Sequence, residues 1–152
     1  MIQNAAQANR IVVKVGTSTL AHKTGLMNIQ RMERLVKVLA DLKNSGKEII
    51  LVSSGAIGVG VGKMGLKEKP TDTPAKQACA AIGQCELMYC YDKYFSEYNH
   101  SVAQVLLTRD IIDSPERKQN VVNTFQNLLR YGVVPVVNEN DTVAVEEIVF
   151  GD

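Results

Sequence analysis

Short β-branched runs alternate with longer amphipathic stretches along this 152-residue chain, and that alternation narrows its possible folds more than any other feature. Ile11–Val15 (IVVKV) stops at Gly16, and Glu48–Ser54 (EIILVSS) stops at Gly55. Val102–Thr108 (VAQVLLT) and Val133–Asn138 (VVPVVN) end in polar turns. Each run is short, rich in Val, Ile or Leu and bounded by turn residues, the pattern of a buried strand. Between the first two, apolar residues fall at Ile29, Met32, Leu35, Val36, Leu39 and Leu42. Intervals of three and four put them on one helical face, with Asn28 placed to cap that helix and Gly46 to stop it. Thr73 and Pro74 read as the cap and first position of a long helix reaching about Asn99. Val121, Val122, Phe125, Leu128 and Leu129 mark another helix, closed by Gly132. Ala144–Phe150 is a candidate fifth strand, and Lys63–Asp72, polar and containing Pro70, is the most loop-like segment.

This order predicts an α/β fold, a three-layer αβα sandwich with a mostly parallel sheet. Strands with so little polar alternation predict a sheet covered on both faces. No repeat or linker divides the chain, and its length suits one domain. A net charge of +1 provides no concentrated basic surface for nucleic acid. No apolar run approaches the ~18–20 residues that cross a bilayer, and MIQNAAQANR lacks the layout of a signal peptide. A cytoplasmic protein is expected. Cys79, Cys85 and Cys90 match no zinc or redox spacing and are expected as free, buried or half-buried thiols. His22 and His100 lie too far apart in sequence to suggest a metal site, and no metal ligand is assigned.

In open α/β sheets ligands collect outside the carboxyl ends of the strands. The first strand ends Lys14-Val15-Gly16-Thr17-Ser18. A lysine in an apolar strand either meets an anion or snorkels to solvent, and the glycine and hydroxyls after it can offer N–H groups to a phosphate. The second strand ends Ser53-Ser54-Gly55-Ala56 and runs into Gly58, Gly60 and Gly62. Such a turn is an anion site or a place where a helix packs close to the sheet. It does not match the P-loop pattern, since Met64 follows Gly62-Lys63, and the dinucleotide pattern fits poorly. The fourth strand ends Asn138-Glu139-Asn140-Asp141-Thr142, a cluster able to hold an ammonium group or a magnesium ion or to orient a lysine, or a solvated turn. Thr108-Arg109-Asp110 closes the third strand. One lysine, two anion-ready turns and an acidic-amide turn on one sheet edge suit phosphoryl transfer, where positioning and charge neutralisation carry the catalysis.

Val12–Ser18, Leu51–Ile57 and Val136–Ala144, with Lys76-Gln77, Ala80–Gln84 and Gln104–Arg109, resemble the amino acid kinase superfamily. The Asn138–Thr142 run, followed by Glu147-Ile148 and Phe150-Gly151-Asp152, narrows the resemblance to its glutamate 5-kinase (γ-glutamyl kinase) branch. The similarity runs from about Ile11 to Asp152. It implies that Lys14 is catalytic and contacts the ATP phosphates, with Gly16, Thr17 and Ser18 along the phosphate path. It places Ser54, Gly55, Ala56, Asn140, Asp141 and Asp152 around L-glutamate, Asp141 facing the α-ammonium group. ATP and Mg2+ are the implied cofactors, L-glutamyl 5-phosphate the implied product, proline a feedback inhibitor and a homo-oligomer the implied assembly. Members of that branch continue beyond Gly151-Asp152 into a nucleotide-binding half. Residues 1–152 are therefore expected to be the amino-acid-binding half, inactive alone. A non-catalytic glutamate- or proline-binding module and another kinase of the superfamily are the alternatives.

Overall fold

The computed structural model describes residues 7–144. Four strands, β1 (Arg10–Val15), β2 (Glu48–Ser53), β3 (Val102–Leu107) and β4 (Val134–Glu139), form a parallel sheet in the order β1-β2-β4-β3. Six helices join them: α1 (Thr17–Leu20), α2 (Ile29–Asn44), α3 (Ala56–Lys63), α4 (Thr73–Ser96), α5 (Asp110–Asp113) and α6 (Pro115–Arg130). The α/β architecture with a parallel sheet is thus as expected, while Ala144–Phe150 falls almost wholly outside the described residues.

Local chemistry accounts for most boundaries. The Asn28 side chain accepts the Arg31 N–H at 3.1 Å and starts α2, satisfying a backbone donor that the helix itself leaves unpaired. The long helix starts one residue earlier than expected. Asp72, not Thr73, is its cap, accepting the Ala75 N–H at 2.9 Å, and Pro74 sits inside the first turn. Ser114 caps α6 in the same way. The glycine-rich segment after β2 is itself helical, as α3.

Right-handed crossovers decide which helix covers which face. The connections β1 to β2 and β2 to β3 run in the same direction across the sheet, so α2 and α4 share a face. The return from β3 to β4 puts α6 on the other. On the first face Val15, Ile49, Leu51, Val134 and Val136 pack with Met32, Val36 and Leu39 of α2 and Leu87, Tyr91 and Phe95 of α4. The second face is covered at Val137 by α6 but lies open over β1, where Val12 is 60% exposed and Lys14 is exposed. Among the described residues, then, the sheet is covered on one face and only partly on the other, unlike the expectation from strand composition. An apolar strand records that a face can be covered, not which segment covers it.

One polar contact crosses the core: the Tyr91 and Ser53 hydroxyls share a hydrogen bond at 2.9 Å. It anchors the last residue of β2 to the C-terminal part of α4. Burial pushes the Tyr91 phenol up to about 12 despite the opposing effect of Ser53. Below pH 10 the phenol is protonated folded or unfolded, and its contribution is fully present. As pH rises from about 10 to 12 the unfolded chain ionises first, removing about 3 kcal/mol of stability. Tyr91→Phe is therefore expected to be about 1–2 kcal/mol less stable at pH 8, because Ser53 loses its partner. Its urea midpoint should then fall less steeply than wild type above pH 10. Parallel curves for the two proteins would show that Tyr91 does not titrate as buried.

Candidate active site

At the carboxyl ends of β1 and β2 the chain encloses a cavity of about 720 Å³. One wall is Thr17 with residues 21–25, and another is Gly55–Gly58 and Val61 at the start of α3. Residues 66–69, Lys76 in the first turn of α4, and Asp141 after β4 complete it. The turn into α3 depends on Gly55, whose φ of +99° is left-handed; a side chain there would also meet Thr17 at 3.0 Å. The N–H groups that open α3 are left without helical partners and are biased toward negative charge. The adjoining Asp141 is 9% exposed. Anion-seeking amides and a buried carboxylate therefore share one cavity, an arrangement that matches a small ligand carrying both charges.

Glycines set the walls at backbone contact distance. A Cβ on Gly60 would stand 1.9 Å from the Cys79 carbonyl oxygen, and one on Gly83 1.7 Å from that of Ala56. One on Gly62 would stand 2.3 Å from the Gly25 carbonyl carbon. Residues 21–25, α3 and α4 are thus stacked main chain on main chain. The second reading of the glycine-rich segment, close helix packing, holds alongside the anion-ready turn.

The family model for the amino acid kinase family matches residues 9–152. The chain belongs to the amino acid kinase family. It is 56% identical over 149 residues to the glutamate 5-kinase of Clostridium perfringens, covering 95% of this chain and 55% of that protein. It is 59% identical over 147 residues to the glutamate 5-kinase of Moorella thermoacetica, covering 97% of this chain and 39% of that one. The chain thus spans about half or less of the length of these relatives. The solved UMP kinase of Ureaplasma parvum superposes with a TM-score of 0.58 at 12% identity, covering 86% of this chain and 56% of that chain. At that identity the likeness is one of fold.

In this amino acid kinase chain the expected site residues divide into groups. Thr17, Gly55, Ala56 and Asp141 line the cavity together. Lys14, Gly16, Ser18, Ser54 and Asn140 are not among its lining residues. Lys14 leaves β1 on the sheet face opposite the α2–α4 core, in register with Val52. Ser54 is buried and donates its hydroxyl to the Val15 carbonyl at 3.2 Å, tying β2 to the end of β1. The Ser18 carbonyl accepts Arg31 Nη1 at 2.8 Å. Asn140 donates its N–H to Leu107 at 2.7 Å, and its side chain accepts the Thr142 hydroxyl. Asp152 lies outside the described residues.

Other residues do work that the sequence did not announce. Asn138 turns inward and donates to Gln84 at 2.9 Å, and Gln84 donates to Gln104 at 3.1 Å, so α4 braces β4 and β3 below the Asp141 turn. The Thr108 hydroxyl and Arg117 together hold the Asp110 carboxyl below its ordinary range. His22, Lys23, Lys67, Glu68, Lys69 and Lys76 belong to the cavity wall. The signal for Lys76 was available, since a basic residue in the first turn of a helix opposes the dipole. Of the cysteines, Cys79 and Cys90 are buried and Cys85 is exposed, contrary to the expectation for that one. Lys63 and Glu86 form an ion pair beside it. Among the described residues no helix is long and apolar enough to cross a membrane, and no three His, Cys, Asp or Glu side chains cluster as metal ligands.

Proposed function

We propose that this chain is the amino-acid-binding part of a glutamate 5-kinase, which transfers a phosphoryl group from ATP to the side-chain carboxylate of L-glutamate to give L-glutamyl 5-phosphate. One observation carries the reading: the Gly55–Ala56 turn, Thr17 and the buried Asp141 meet on one cavity at the carboxyl edge of the sheet. The names of the relatives described above support the choice of substrate. In this reading Asp141 holds the α-ammonium group, and the amides opening α3 hold the side-chain carboxylate close to Gly16 and Lys14. Lys14 neutralises the transferring phosphoryl group, with Thr17 and Ser18 along its path. Ser54 fixes the turn, and Asn140 and Asp152 complete the surroundings of the substrate.

The residues present suit ATP as phosphoryl donor. A Cβ on Gly55 would press on Thr17, which stands along the phosphate path in this reading. Magnesium would be held mainly by the nucleotide phosphates. When bound, Mg2+ supplies neutralisation of phosphate charge. A cytoplasmic, homo-oligomeric protein inhibited by proline belongs to the same reading, which rests there on the resemblance to glutamate 5-kinases.

Calorimetric titration of the 152-residue chain with L-glutamate, proline and ATP, followed by hydroxamate trapping of any acyl phosphate, tests the proposal. Saturable binding of L-glutamate without formation of hydroxamate is expected. Absence of glutamate binding would defeat the assignment of the cavity. Hydroxamate formed by this chain alone would defeat the division of labour and leave the activity standing.

A further inference from the structure

Four lysines, Lys23, Lys67, Lys69 and Lys76, line the cavity together with Glu68 and Asp141. They are not equivalent. Lys23, Lys67 and Lys69 are exposed on loops, where a solvated ammonium needs no partner. Lys76 is half-buried and sits in the first turn of α4. Among the described residues it forms no ion pair and no side-chain hydrogen bond. Its stem is partly buried against the cavity wall, and a cation at a helix N-terminus opposes the dipole. Asp72 caps the same turn through the Ala75 N–H, and no described acidic side chain pairs with Lys76 itself. A lysine placed against the helix dipole on a cavity wall, with no partner in the described fold, is expected to serve a ligand.

The cavity wall supplies the complement. Asp141 offers one buried negative charge and the α3 amides offer a site for one carboxylate. Glutamate carries an ammonium and two carboxylates, so one carboxylate remains to be matched. We infer that Lys76 pairs with the α-carboxylate of the amino-acid substrate, Asp141 taking the ammonium group and the α3 amides the side-chain carboxylate. This rests on the proposed glutamate reading and assigns a specificity role to a residue outside the strand-end turns. It also predicts that the site rejects amino acids whose α-carboxylate is blocked.

The test is a matrix of calorimetric titrations on the 152-residue chain, using L-glutamate, its α-amide and L-glutamine against wild type, Lys76→Gln and Lys76→Arg. Wild type is expected to bind L-glutamate at least tenfold more tightly than the α-amide, as loss of a charged hydrogen bond dictates. Lys76→Gln should weaken glutamate by at least tenfold, bind glutamate and the α-amide alike, and still discriminate against L-glutamine. Lys76→Arg should restore most of the preference. If Lys76→Gln keeps the preference for glutamate over the α-amide, the assignment is wrong. It is equally wrong if the variant loses only its discrimination against glutamine, since Lys76 would then face the side-chain carboxylate. Failure of wild type to bind glutamate would remove both this inference and the glutamate reading beneath it. Matching circular dichroism spectra establish that the variants are folded.

Discussion

Gly83→Ala should lower the thermal midpoint of this protein by roughly 10 °C, although it adds a single methyl group to a helix. Alanine is the better helix former by up to about 1 kcal/mol, so propensity alone predicts a gain. Space decides otherwise. The added Cβ would lie 1.7 Å from the Ala56 carbonyl oxygen and 2.6 Å from the Gly60 nitrogen, both main-chain atoms that cannot rotate away. Separating α3 from α4 far enough to admit it costs about 3 kcal/mol or more, the upper range for overpacked cores, and each kcal/mol shifts the midpoint of a protein this size by about 2–4 °C. Because Ala56 opens α3, the displacement reaches the Gly55–Ala56 turn, and glutamate binding should weaken with stability. A midpoint unchanged or raised in a calorimetric scan would mean that the two helices do not pack as closely as described.

The second large effect separates catalysis from binding. In a chimera that completes this segment with the remaining length of the Clostridium perfringens relative, Lys14→Ala should lower turnover by about 10²–10³-fold. That is the usual loss when a group neutralising transition-state charge is removed. The KM for glutamate should change little, because Lys14 does not line the cavity. Asp141→Ala should do the reverse, raising the KM for glutamate by about ten- to a hundredfold through loss of a charge-assisted contact, with a smaller fall in turnover. Steady-state kinetics with hydroxamate trapping reads both parameters. The opposite split would exchange the roles of the two residues, and equal loss of both parameters in both variants would point to general disruption.

The sequence displayed the sheet and the long helices because their signals are local. Ile11–Val15 lacks any polar alternation, and Asn28 announces α2 to within a residue. Two four-residue helices, α1 and α5, were not legible, since one turn leaves no periodicity to detect. The helix α3 was hidden by its glycines, which lower helix propensity and are retained for contacts made with residues far away in sequence. The same holds at the site. Thr17, Gly55, Ala56 and Asp141 stood out because strand ends converge by topology. Lys23, Lys67 and Lys69 reach the cavity only through the paths of two loops, which no local pattern encodes. Asn138 read as part of a polar cluster facing ligand, yet strand alternation turns it inward toward Gln84.

Backbone contact between residues 21–25, α3 and α4 also has a mechanical meaning. No layer of side chains lies at the Gly25–Gly62, Gly60–Cys79 and Gly83–Ala56 contacts, so there are no rotamers through which the three plies can slide. They are therefore packed to resist sliding against one another. Residues 64–72, by contrast, form no helix or strand, and Gly65, at a φ of +64°, has nothing within 4 Å of where a Cβ would stand. Gly65 closes α3 there, with its own N–H bonded to the Gly62 carbonyl and that of Leu66 bonded to the Val61 carbonyl, each at 3.1 Å. A substitution that forces the three plies apart is therefore felt together at Lys76 on α4 and at the Gly55–Ala56 turn.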